Sequence, residues 1–125
     1  MTDEQKRVLE DDPDGLVTYE YIANNIENCF DELEWLIENM TRVDLVGQFL
    51  ASAARYLNAI DPVKFAEPVR KLVAATIDRD REHRYLPDLI LSIYGEDYEE
   101  KAPRLMAEDN NFRRIYKRLF PTAVI

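Results

Sequence analysis

Five carboxylates recur along one stretch of the chain, at Glu20, Glu27, Asp31, Glu34 and Glu38. At helical pitch they form an acidic stripe. Carboxylates one turn apart can hold Mg²⁺ for phosphate chemistry, provided that a facing helix supplies acids of its own. The next helical stretch offers only Asp44 at its very start, and the one after it only Glu67 ahead of a charged end. The stripe also lies away from the apolar seam of its own segment. A solvated face is therefore the expectation, and a metal-dependent enzyme using helix-borne carboxylates is an alternative.

Other reactive types are few. His83 is the sole histidine and sits in the run Asp78-Arg79-Asp80-Arg81-Glu82-His83-Arg84. Asp78 with Arg81 and Asp80 with Arg84 have the spacing of helix-surface ion pairs, which accounts for the run without a general base. Cys29 is the sole cysteine, so no internal disulfide forms. Its place on an apolar stripe predicts a buried thiol. One Cys and one His give no Cys/His metal box. No catalytic residue, metal ligand or cofactor fingerprint is assigned. The second charged candidate is a basic face, Arg113, Arg114, Lys117 and Arg118, interleaved with Phe112, Tyr116 and Phe120. Such a face can meet nucleic acid, stay solvated, or lie against the acidic stretch with an arginine on Trp35.

The elements that must position these groups are helical. Tyr19, Ile22, Ile26, Cys29, Leu33, Leu36 and Met40 follow a 3-4 spacing that predicts one long helix over Tyr19–Met40, with Thr18 as its N-cap. Tyr21 and Trp35 fall off that stripe. Asn24, Asn25, Asn28 and Asn39 lie on its polar side, an unusual load for a helix. Thr41 and Asp44 read as a capping box for a second helix to about Ala59, with the seam Val46, Leu50, Ala53, Leu57 and Ile60 and a slim surface at Gly47, Ala51 and Ala54. Asp61-Pro62 opens a third helix carrying Phe65, Val69, Leu72, Val73 and Ile77, where Pro68 marks either a kink or the first turn. A short fourth helix runs from Pro87 to Gly95. A fifth segment covers Glu96–Glu108, with Pro103 as an interruption. The last helix is capped by Asp109 or Asn110 and stopped by Pro121.

The fold class expected is all-α: a single compact domain of five or six helices, packed as an antiparallel bundle. Residues 1–16 are a polar lead-in, disordered or a short helix; 17–121 form the helical domain; 122–125 are a tail. A second arrangement comes from a likeness. The hairpins Val43–Ile77 and Leu86–Glu108 start about 43 residues apart. The wording Val69-Arg70-Lys71-Leu72-Val73-Ala74-Ala75 and Leu86-Pro87-Asp88-Leu89-Ile90 resembles HEAT repeats. That resemblance implies stacked helical hairpins.

The 125 residues carry a net charge of −9, with only three glycines. The charge is uneven: residues 1–40 hold twelve acids against two bases, and the remainder is near neutral. An acidic front repels phosphates, which disfavours nucleic acid and anionic membranes as partners. The polar N-terminus has no apolar signal core, so a cytoplasmic protein is expected. The function expected is a small non-catalytic helical protein-interaction module. Its interaction surface is Tyr21, Glu27, Asp31, Glu34, Trp35 and Glu38, and its partner a protein of basic or mixed charge, or a second copy. An acidic regulator that mimics nucleic acid on a basic partner is the other alternative.

Overall fold

A computed structural model describes residues 1–122, and among them the chain forms eight α-helices and no strand. The helices are α1 (Asp3–Glu10), α2 (Leu16–Asn24), α3 (Leu33–Val43), α4 (Gln48–Ile60), α5 (Ala66–Arg79), α6 (Leu86–Tyr94), α7 (Tyr98–Glu108) and α8 (Asn110–Leu119), with a single 3-10 turn at Phe30–Glu32 ahead of α3. The expected count of five or six was too low. The tail expected at 122–125 lies, beyond Thr122, outside the described residues.

From α2 to α8 each helix packs on the next, and several also meet the helix two places on. α2 packs on α4, α4 on α6 and α6 on α8, while α1 packs on α3 and α3 on α5. The longest seam joins α4 to α5. It is close because α4 presents the buried alanines Ala51, Ala53 and Ala54 between Leu50 and Leu57. Val69, Leu72, Val73 and Ile77 of α5 answer it, together with Phe65 just before that helix. Ile22, Leu36, Met40, Leu86, Leu89 and Phe112 carry the core through the other helices. Each such side chain stabilises the fold by roughly 1.5–3 kcal/mol on burial.

The long helix expected over Tyr19–Met40 is two helices. α2 ends at Asn24, and the chain turns through residues 25–29 before Phe30–Glu32 leads into α3. Asn25 contributes to the break: its amide Nδ2 donates to the Tyr21 carbonyl at 2.8 Å, a local side-chain bond that competes with helix propagation. The backbone then turns, with Asn28 N donating to the Asn25 carbonyl. The apolar stripe survives the break, because Ile22, Cys29, Leu33, Leu36 and Met40 are all buried on the inside of the resulting hairpin. Cys29 is fully buried, and burial pushes its thiol up. We expect no reaction of this thiol with a disulfide reagent under native conditions and one equivalent of reaction in denaturant. Rapid native labelling would contradict its burial.

A second finding was not read from the sequence. Three buried aspartates, Asp12, Asp44 and Asp80, each stand between two helices and cap the next one. Asp12 accepts from Asp14 N and Gly15 N through Oδ1, and from Thr18 N and Thr18 Oγ1 through Oδ2. Asp44 accepts from Val46 N and Gly47 N, then from Phe49 N and Leu50 N. Asp80 accepts from Arg84 N, Tyr85 N and Leu86 N. In all three loops the amide six residues on (Thr18, Leu50, Leu86) is held, and the residue three on has positive φ: Gly15 at 105°, Gly47 at 90° and His83 at 56°. The loops also stack. A Cβ on Gly15 would lie 3.1 Å from Asp44 Cβ, and one on Gly47 would lie 3.3 Å from Asp80 Cβ.

These loops correct several local expectations. Thr18 is not an N-cap but a buried residue inside α2 that donates to Asp12. Thr41 belongs to α3, bonding back to the Ile37 carbonyl, and α4 starts at Gln48 under Asp44. Gly47 therefore does not slim α4, and Val46 is exposed, not part of its seam. Asp61 bonds Val63 N and Lys64 N in a turn, and α5 starts at Ala66. Pro68 sits in the first turn of α5, where its missing N–H has no partner to lose. Pro103 lies within α7 without ending it.

Asp12 gives the array a pH dependence of known sign. Burial acts to raise its carboxyl, but the bonds from Thr18, Gly15 and Asp14 outweigh it and hold the group below its ordinary 3.8. Its contribution is full above that value and disappears as pH falls through the lower folded value. Unfolding free energy should therefore decline below about pH 4, and Asp12→Asn should flatten that decline while lowering stability at pH 7. A variant with an unchanged acid limb would contradict this.

Candidate functional site

The acidic surface is built at the α1–α3 end. Glu20 lies on α2, Glu27 and Asp31 lie in the break, and Glu34 and Glu38 lie on α3; all five are exposed. Among the described residues none of the five enters an ion pair. No three His, Cys, Asp or Glu side chains gather there, or elsewhere among the described residues, where an ion could be held. The break spreads the carboxylates over two helices and a turn.

Tyr21 and Trp35 do not share a pocket. Tyr21 is half-buried in a groove between α1 and α2, and its hydroxyl donates to Glu32 Oε1 at 3.3 Å. Burial, with the Glu32 charge behind it, pushes that hydroxyl up. Trp35 is half-buried under α1, with Lys6 Nζ 5.5 Å from its ring centroid. Alongside it, Glu10, Glu38, Asn39 and Arg42 line a hollow of about 200 Å³. The α1 helix is docked by directed bonds: Met1 N pairs with Glu32 Oε2 at 2.7 Å, Asn39 Nδ2 donates to the Leu9 carbonyl at 2.8 Å, and Arg42 Nη2 donates to the Glu10 carbonyl at 3.0 Å. Trp35 thus serves as a shelf for α1, and its outward share is small.

The basic face of α8 is engaged at the opposite end. Arg114 pairs with Asp78, Arg118 donates to the Ile77 carbonyl, and Arg113 donates to the Met106 carbonyl and to Asn110 Oδ1. Lys117 remains exposed. Ile77 and Asp78 lie in the last turn of α5, so two of these cations sit where the helix dipole is negative. Arg79 does the same for α3 by donating to the Thr41 carbonyl. The face reads as a helix-end clamp within the chain.

His83, at positive φ in the third aspartate loop, holds a position that glycine holds in the other two. Its role is conformational. A recess of about 380 Å³ beside it is lined by Leu45, Val46, Arg79, Arg84 and Tyr85. Arg79 there is bonded to Thr41, and Arg84 is paired with Glu82. No helix among the described residues is long and apolar enough to cross a membrane. Comparisons with known protein families, with curated proteins and with solved structures give no match to this chain.

Proposed function

We propose that this chain is a non-catalytic protein-interaction module, and that its working surface is the acidic α1–α3 end. The carrying observation is the set of five exposed carboxylates that enter no ion pair among the described residues, in a chain where Arg42, Arg79, Arg113 and Arg118 donate instead to carbonyls at helix ends. An unneutralised face of this kind raises the local concentration of a cationic partner and orients it. The partner is a protein with a basic surface. The arrangement behind it we read as a short stack of HEAT-like hairpins, α2–α3, α4–α5 and α6–α7, closed by α1 and α8. Three units meet the number such arrays need, and the recurrent aspartate loops mark their boundaries. Reversal of Glu27, Asp31 and Glu34 to lysine tests the surface: affinity for an identified partner should fall about tenfold or more at low salt.

One observation favours a second reading, an acidic regulator that mimics nucleic acid on a basic partner. The carboxylates extend over α2, the break and α3, as a phosphate track would require. Competition by a short duplex for the same partner site distinguishes the two; independent binding rejects mimicry.

A further inference from the structure

The α1–α2 groove is a recess of about 620 Å³. Its floor is Val8, Leu9, Val17 and Tyr21, and its rim carries Glu4 and Glu20. Leu9 is buried, but Val8 is 58 % exposed and Val17 39 %. Its position explains why these valines lack cover. α1 stands ahead of α3 in one row of helices, whereas α2 packs on α3 and α4 and has the groove on its outer side. Stacked helical arrays stay soluble by ending on polar faces. This end instead leaves a groove beside α1 in which exposed valines lie among polar side chains and the carboxylates of Glu4 and Glu20.

We infer that this groove docks an amphipathic helix with basic residues flanking its apolar face, which takes the place ahead of α2 in the stack. This deepens the interaction-module reading and rests on it. The choice of occupant follows from charge complementarity. Valine and tyrosine receive apolar anchors spaced at i, i+3, i+4 and i+7. Glu4 and Glu20 meet lysine or arginine flanking those anchors, and an acidic helix is repelled by the surrounding charge. Tyr21 keeps its hydroxyl bonded to Glu32, so only its ring enters the contact.

The test uses the full chain and a fluorescein-labelled synthetic helix with leucines at those spacings and lysine or arginine elsewhere. A matching peptide with glutamate at the charged positions is the reference. The basic peptide should bind and the acidic one should not. Val8→Ser with Val17→Ser should weaken binding about tenfold, and Glu4→Gln with Glu20→Gln about threefold to tenfold with a flatter salt dependence. These four side chains are exposed or at the rim, and circular dichroism checks that each variant keeps its helices. Glu99→Gln with Glu100→Gln, exposed on α7 and away from the acidic end, should change binding less than twofold. Equal loss from that pair, with the valine pair silent, overturns the groove and leaves the acidic-surface reading to its own partner's affinity. Failure of the basic peptide to bind also overturns the groove, while the acidic surface is judged separately by its own partner's affinity. A concentration-dependent dimer that disappears with the valine pair would overturn the proposed occupant in favour of a second copy.

Discussion

Asp44→Ala should lower the unfolding free energy by about 3 kcal/mol, read as a shift of the urea midpoint, with a melting temperature lower by about 10 °C. An ordinary N-cap loss costs about 1 kcal/mol. Asp44 differs because its carboxylate is wholly buried and holds four amides, with Gly47 N and Phe49 N at 2.8 Å, Leu50 N at 2.9 Å and Val46 N at 3.2 Å. Alanine leaves those donors without an acceptor, and two of them are deeply placed, where an unmade bond carries its full desolvation cost. Asp44→Asn should fall between, because Oδ1 can still accept while an amide NH₂ faces the Phe49 and Leu50 donors. A loss below about 1 kcal/mol for alanine would mean that the loop holds its shape without the carboxylate.

The next largest effect should come from Gly47→Val, at about 3 kcal/mol, with Gly47→Ala near 2 kcal/mol. Two costs combine. At φ 90° any Cβ is strained, and a β-branched one more so. The new Cβ would also sit 3.3 Å from Asp80 Cβ and 3.4 Å from Asp80 N, so the next loop must give way. His83 supplies the contrast. It already occupies positive φ as a non-glycine residue, so His83→Gly should change stability by no more than about 1 kcal/mol, and toward higher stability if the strain outweighs the entropy of the unfolded chain. If Gly47→Ala proved as mild, close stacking of the Asp44 and Asp80 loops would be disproved.

Much of this architecture was legible in residue order. The 3-4 apolar spacing located the buried faces of α2, α3 and α5, and the all-α class followed from it. The break at residues 25–29 was not read, because the stripe runs through it unbroken: burial pattern reports which residues face inward, not whether the backbone between them is helical. Asn25 was the signal, through a side chain that bonds the backbone locally. The repeat was also present as Asp12-Pro13-Asp14-Gly15, Asp44-Leu45-Val46-Gly47 and Asp80-Arg81-Glu82-His83. Gly15 falls in what reads as a polar lead-in, and Gly47 in what reads as a slim helix surface. The third has histidine in its place, and ion-pair spacing accounts for its neighbours without a loop. Helix direction and neighbour choice depend on long-range packing, so the α1–α2 groove and the clamp of α8 on α5 had no local signature.

The acidic stripe itself sharpened. Its members are exposed, as a solvated face requires, but they extend from α2 across the turn to α3. Trp35 moved from candidate anchor to support for α1, while Tyr21 moved toward the groove. The basic face moved the other way, from candidate surface to internal clamp, with Lys117 its one fully solvent-facing member.

The most direct test is the affinity of the partner captured from the native host, measured at low and at physiological salt for the unaltered chain and for the triple reversal Glu27→Lys, Asp31→Lys, Glu34→Lys. These three side chains are exposed, and among the described residues they make no ion pair, so the fold should persist. The expected result is a loss of about tenfold or more at low salt that narrows as salt rises, with unchanged helix content. Equal affinity of the two proteins at both salt concentrations would contradict the assignment of the acidic end as the binding surface.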